Sequence, residues 1–421
     1  MISKEKAGVF LGAVLLRLAL FSLSPGLPDL LTDRVEISTP VTSFKRLQEG
    51  LFLYNHNVWP YDGGVYHQAP LLLPLFSLLP DVREWPIFTA LVYIVVDILS
   101  AEALTQIARS GEASKSAHFT SLRAGAKTSG VKIAAAFLFN PLTLASCLGR
   151  STSVITNCAI LFAISKAIYG RPFTSMIALS FSAYLSMYPI LLLPPLVLLA
   201  YDDQSAKRRV QSAIKFAIIN VGVVAGCLAA LLGTSFFLTG YSWQFLGRTY
   251  GIQLTLSDLT PNVGLWWYFF IEMFDSFRGF FLGVFWLHLS SYPAGLSIRL
   301  RKQPLAVLTI LLGVFSIFKP YPSIADTGLF LSMLLTHNHI FPLMRYGFVA
   351  CSTLLYAICL GPAFYHLWIY AGSGNANFFY AITLVWSLAQ SLLVTDLAFA
   401  VLRDEWEQER PEMVGKDVKQ I

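Results

Sequence analysis

Three stretches of this 421-residue chain carry side chains whose types and spacing can do chemistry. The first is Asp33-Arg34-Val35-Glu36, two carboxylates around a cation. Such a pair can hold a metal through converging oxygens, or supply a general base within hydrogen-bond reach of its proton. With a cation adjacent and no Asp-x-Asp, pairing with Arg34 or simple solvation is the favoured use. The second stretch runs from Leu256 to Phe281. Asp258, Thr260, Pro261 and Asn262 have the character of a helix start, and Trp266, Trp267 and Tyr268 that of an interfacial aromatic belt. Glu272, Asp275 and Arg278 follow at three-residue spacing, which predicts one polar face on a continuous membrane helix. Glu272 would then lie on the order of 12 to 15 Å below the helix start. Ionisable groups at such depth face a wet cavity or a protein interior; the alternative is an Asp275 to Arg278 pair that only fixes packing. The third stretch, Phe364 to Leu384, breaks at Gly372-Ser373-Gly374 and places Asn375 and Asn377 at the mouth of the last long apolar run. With His366, Tyr370 and free helix N-terminal amides, two side-chain amides suit phosphate or sugar hydroxyls. Helix capping by one asparagine would leave the second unexplained.

The elements that position these residues are membrane helices. Hydrophobic residues make up 55% of the chain and charged residues 13%, outside the balance of a soluble domain, and runs of the roughly 20 apolar residues needed to cross a bilayer recur along it. The spacing predicts spans at 7–24, 86–108, two helical pairs within 133–200, and further spans at 213–238, 264–292, 304–319, 323–337, 341–361 and 377–402. The expectation is an all-α polytopic membrane protein of about twelve transmembrane helices, several short or broken, forming a single membrane domain over 1–421. Residues 25–67 read as a lumenal loop, 403–421 as a cytosolic tail, and 68–80, too short and proline-rich to cross, as a re-entrant or interfacial segment. Arg17 interrupts the first apolar run, which reads as a retained span rather than a cleaved signal. Asp97, Glu102 and Asp396, isolated acids within apolar runs, are expected to pair internally. Lys319 and Asp326 flank a proline-rich turn and read as architecture.

The formal charge of +6 is concentrated in short loops: Lys115, Arg123 and Lys127; Lys207, Arg208, Arg209 and Lys215; Arg299, Arg301 and Lys302. Positive residues beside spans tend to stay in the cytosol, which places these loops and both termini there and disfavours nucleic acid as a partner. Arg208, Arg209, Arg301 and Lys302 could also meet anionic phospholipid headgroups. The five cysteines lie inside apolar runs without zinc or disulfide spacing, and His337 and His339 lack further ligands. No metal, cofactor or catalytic residue is expected.

Taken together, LTPNVGLWWYFFIEMFDSFR, FKPYPSIADTGL and HLWIYAGSGNANFFYAI resemble the PIG-U family, the multi-span subunit of GPI transamidase. The resemblance covers nearly the full chain. The layout of the first loop is also similar to that of GPI mannosyltransferases of the GT-C class, which implies a GT-C-like scaffold. Membership implies a non-catalytic subunit in an endoplasmic-reticulum complex that attaches a preassembled GPI lipid to proprotein C-termini. The catalytic cysteine would belong to PIG-K, with PIG-T, PIG-S and a metallopeptidase-like subunit as further partners. The role implied for this chain is to bind and orient the GPI lipid, with Asn375 and Asn377 as leading headgroup contacts and Asp258 and Asn262 behind them. Two other readings compete: an active GT-C glycosyltransferase using a lipid-linked sugar donor through Asp33 and Glu36, and a transporter built on Glu272 and Asp275, although no inverted repeat is visible.

Overall fold

Apolar runs, punctuated by proline, glycine and small polar residues, set the helices of this chain. The computed structural model describes residues 4–126, 128–207, 209 and 212–416, and no strand occurs among them. After α1 (Lys4–Leu23) come α2 (Gly26–Thr32), α3 (Phe44–Asn55), α4 (Leu72–Ser77) and the long α5 (Pro86–Ser110). Residues 25–67 therefore fold rather than trail: Ser43 caps α3, and Phe44, Leu47 and Gly50 are buried along it. With six residues, α4 is about 9 Å long, far short of the ~30 Å hydrocarbon core, and it turns Leu72, Leu73 and Phe76 into the protein.

α5 stops at Gly111, whose φ of +73° suits a left-handed helix end. α6 (Gly130–Leu138) and α7 (Pro141–Leu148) meet at 53°, where Asn140 caps α7 and Pro141 cannot continue α6. α8 (Ser153–Ile168), α9 (Pro172–Leu185), α10 (Leu193–Ala206) and α11 (Ala213–Leu238) follow. The short α12 (Gln244–Leu246) and α13 (Ile252–Thr255) flank a π-helical turn, and then come α14 (Trp266–Ile271), α15 (Asp275–Arg299), α16 (Pro304–Phe318), α17 (Ile324–Leu334), α18 (Gly347–Ile369) and α19 (Ala376–Glu409). Among the described residues five helices, α1, α5, α11, α18 and α19, are long and apolar enough to cross a membrane, or six if the bent α6–α7 pair is one span. α8, α9 and α16 are shorter apolar helices. The chain is an all-α polytopic membrane protein, and a path of about twelve segments is reached only by counting its short and broken helices.

α16 is the hub. It is buried on every side from Pro304 to Ile317, as an all-round apolar helix must be, and packs against α10, α15, α17 and α19. At Gly313 the approach is closest: a Cβ there would lie 2.4 Å from Val394 and 2.8 Å from Phe330. Gly313→Ala is therefore expected to cost about 1–3 kcal/mol through overpacking. Gly279→Ala, with no atom within 4 Å of the added carbon, should be close to neutral. Thermal unfolding of the two purified variants in detergent checks the contrast.

The isolated intramembrane acids do find internal partners. Asp97 on α5 holds Arg17 of α1, with Nε at 2.9 Å and Nη2 at 2.8 Å from one carboxylate oxygen. Further along the same two helices, Lys6 bonds Glu102. Asp396 accepts the amides of Arg345 and Tyr346 at 2.8–2.9 Å and so fixes the start of α18. In the 318–326 turn Lys319 lies 2.6 Å from Asp326, which also closes a capping box with Ser323. That turn is architectural, as its residues suggested.

Two boundaries depart from the sequence expectation. The span anticipated at 264–292 is broken after Ile271, and α15 starts afresh at Asp275 through an extended Phe274. Arg278 turns back from α15 to donate to the carbonyls of Phe270, at 3.3 Å, and Leu256, at 2.6 Å. Its guanidinium thus satisfies chain-end carbonyls and has no ion pair with Asp275. At the other end, α19 runs on past the anticipated span end at 402 through Glu409, so residues 403–409 are helical. Arg123 anchors it to Asp404 at 3.0 Å and Glu407 at 2.5 Å.

Candidate functional site

α18 and α19 form an antiparallel pair whose connection is dictated by glycine. Gly372 takes a φ of +64°, and the amides of Ser373 and Gly374 return to the Leu367 carbonyl at 3.0 and 3.1 Å, closing the end of α18. Asn375 then caps α19 by accepting the Phe378 amide at 3.4 Å. Between these helices, α7 and the 31–37 segment lies a cavity of about 160 Å³. Ile37, Leu142, Val263, Ala357 and Ile382 give it apolar walls, and Gly361 leaves one side without a side chain. The indole Nε1 of Trp386, another wall residue, is buried without an acceptor in the protein.

The edge of this cavity is charged and aromatic. Arg34 and Glu36 both line it and form a two-point pair, Nε to Oε2 at 3.0 Å and Nη2 to Oε1 at 2.7 Å. The guanidinium lies 5.5 Å above the Tyr365 ring, and Tyr365 packs edge-on against Phe379, a further wall residue, at 5.2 Å. Trp267, fully buried, touches Phe379, Trp368 and Tyr380. Beside it the Tyr268 hydroxyl donates to the side-chain oxygen of Asn377. An apolar recess thus opens beside a belt of tyrosines and tryptophans, a cation, a carboxylate and an exposed amide. Such a surface can take a hydrocarbon chain within and polar, hydroxylated or phosphorylated groups at its rim.

The sequence candidates fall into distinct places. Asn375 and Asn377 are exposed at the start of α19, the one as a helix cap and the other bonded to Tyr268, and neither is among the residues lining the cavity. Asp258 instead lies 2.7 Å from Arg46 of α3 and accepts the Thr260 amide at 2.9 Å. Burial would raise its pKa, but the Thr260 hydroxyl and Arg46 outweigh that and hold it below the ordinary carboxylate value. Asn262 is fully buried, its oxygen on the Gly264 amide at 2.8 Å and its nitrogen on the Thr260 carbonyl at 3.2 Å. These two residues shape the segment that carries Val263 and Trp267 to the cavity rather than standing at its rim. Glu272 and Asp275 are exposed and lie on either side of the helix break, so no continuous polar face joins them to Arg278. Asp33 bonds Lys45 while Glu36 bonds Arg34, so each acid of the would-be sugar-transfer pair has its own cation.

Of the four cations offered to phospholipid, Arg208 lies outside the described residues. Arg209 is exposed. Arg301 is instead clamped on Asp202 at 2.7 and 2.5 Å, and Lys302 reaches Glu405 at 3.3 Å and Glu409 at 2.9 Å. Carboxylates on neighbouring helices already compensate these two charges. Near Asp202 and Asp203, Glu112 is pushed up to about 7, first by burial and then by the two like charges. The folded state holds this proton more tightly than the unfolded one, so stability falls as pH rises from the ordinary carboxylate value through about 7. Glu112→Gln should therefore raise the unfolding temperature at pH 8 and leave it nearly unchanged at pH 5, as read by differential scanning fluorimetry.

Sequence reasoning did not single out Arg34 as a rim cation, nor Tyr365, Gly361 or Trp386. In the sequence Arg34 reads only as a neutraliser of its neighbours, and the other three look like ordinary span residues. Only their convergence from positions 34 to 386 of the chain marks them. The comparisons with known proteins agree along this whole length. The family model described as GPI transamidase subunit PIG-U matches residues 11–386. The chain is 40% identical over 408 residues to the GPI transamidase component GAB1 of Saccharomyces cerevisiae, covering 96% of each. It is 36% identical over 416 residues to the GPI-anchor transamidase component PIGU of Homo sapiens, covering 94% of each.

Proposed function

Because the chain belongs to the PIG-U family of GPI transamidase subunits, we propose that it is the non-catalytic member that seats and orients the GPI lipid for transfer to proprotein C-termini. The observation that carries this reading is the α18–α19 cavity: about 160 Å³ of apolar space edged by Arg34 and Glu36, with the Tyr268–Asn377 pair at the start of α19, two residues before the wall residue Phe379. An acyl or alkyl chain enters between Ala357, Gly361 and Ile382. The unpartnered Trp386 Nε1 donates to an oxygen at the chain's root, where an orphaned buried donor gains most from an acceptor. At the rim Arg34 faces phosphate, and Asn375 and Asn377 meet glycan hydroxyls. Asp258 and Asn262 act one step back, by fixing the 258–264 turn.

In this reading the nucleophile is supplied by PIG-K, and the chain assembles with PIG-T, PIG-S and the metallopeptidase-like subunit in the endoplasmic-reticulum membrane. The basic segments around Lys115, Lys207 and Arg301 face the cytosol with both termini. The rim then faces the lumen, where the proprotein arrives. The separate pairing of Asp33 with Lys45 and Glu36 with Arg34 weighs against sugar transfer.

The test is photolabelling of the purified complex with a GPI-lipid probe. Tyr268→Phe combined with Asn377→Ala removes two rim contacts, each worth about 1 kcal/mol, and should lower labelling about tenfold at equal complex yield. Labelling unchanged by the pair would remove the rim from GPI recognition.

A further inference from the structure

A second cavity, of about 320 Å³, lies away from α18 and α19, between α3 and the segment that joins α4 to α5. Its volume is in the range of small-ligand pockets. Phe44, Leu51, Phe76 and Leu79 supply apolar lining. Its polar lining is Gln48, Asn55, Asp81, Arg83 and Thr89. Apart from the Asp81 carboxylate, which accepts the Arg83 amide at 2.8 Å, none of these five side chains bonds another described residue. Thr89, 2% exposed, lines its inner end. Around the opening Leu78 is 81% exposed and Trp85 55%, the pattern of a membrane interface at the start of α5.

We infer that this cavity binds a zwitterionic phosphodiester lipid headgroup of the phosphoethanolamine type. The guanidinium of Arg83 matches the phosphate and the carboxylate of Asp81 the ammonium, since charge-assisted bonds of both signs are the strong ones. The amides of Gln48 and Asn55 and the hydroxyl of Thr89 serve the remaining phosphate and ester oxygens. The acyl root lies against Phe44 and Phe76, and the chains leave past Leu78. Bilayer phosphatidylethanolamine and a glycolipid bearing phosphoethanolamine share this chemistry. The site is separate from the α18–α19 cavity and does not depend on what that cavity holds.

The experiment uses the complete transamidase complex in nanodiscs and three photoactivatable probes: phosphatidylethanolamine, phosphatidylglycerol and a phosphoethanolamine-bearing glycolipid. Labelled peptides are mapped for wild type, for Arg83→Gln with Asp81→Asn, and for the milder Thr89→Val. The expected result is labelling of peptides covering 44–56 and 76–89 by the ethanolamine lipid. The double variant should reduce it at least fivefold, while labelling of peptides around 357–386 is unchanged. Labelling of the same peptides by the glycolipid alone supports the site with that lipid as its source. Equal labelling by phosphatidylglycerol, absence of these peptides in wild type, or yields indifferent to all variants overturns the proposal.

Discussion

Arg17→Met should destabilise this protein by about 3–5 kcal/mol, the usual consequence of leaving one member of a buried ion pair without its partner. Arg17 and Asp97 are both 0% exposed; Nε donates to one carboxylate oxygen at 2.9 Å, while Nη2, 2.8 Å from the same oxygen, makes no hydrogen bond. The other oxygen, Oδ1, is buried without a hydrogen-bond donor. The pair is therefore closely held but not fully satisfied. Removing the cation strands a carboxylate among apolar helices, where a charge is costly. Removing both charges with Arg17→Met and Asp97→Leu should recover most of the loss, because well-packed apolar replacements of a buried pair are often neutral or better. The comparison is read from unfolding midpoints of the three detergent-purified proteins. A single variant as stable as wild type would show that the α1–α5 contact is held by apolar packing alone.

The second large effect is expected at Ala357, 3% exposed and on the wall of the α18–α19 cavity. Ala357→Phe directs a ring into space that the protein leaves empty. Its overpacking penalty should fall at the low end of the usual 1–3 kcal/mol, and assembly should survive. Transamidation with GPI lipid should nevertheless drop at least tenfold, because lipid chain and ring compete for one volume. The drop should appear in the lipid concentration needed for half-maximal rate. The rate at saturating lipid should recover if the proprotein site is intact. A rate loss that no amount of lipid restores would point to a disturbed assembly instead.

Much of this organisation was readable from residues alone, and the failures are specific. The pairing of Asp97, Glu102 and Asp396 follows from the cost of an unpaired charge in a bilayer, and so did their need for partners; which partners they found required the fold. The Gly372–Asn375 turn was visible because glycine and asparagine at a helix junction have few other uses. The continuous helix over 264–292 failed for a different reason. Hydropathy does not register that Arg278 folds back onto the carbonyls of Phe270 and Leu256, 8 and 22 residues earlier in the chain. Arg301 and Lys302 were similarly legible as cations but not as cations already matched by Asp202, Glu405 and Glu409. The cavity was the least legible feature, since its walls come from six separated segments and no single one is unusual.

The central claim concerns what occupies that cavity. Ile358 lines it and is 37% exposed, so a photoreactive phenylalanine analogue placed there in the assembled complex can report the occupant directly. The account predicts a crosslink to GPI lipid, identified by mass spectrometry, that disappears when Ala357→Phe is added. A crosslink to phospholipid or to a neighbouring subunit, with none to GPI lipid, would contradict it.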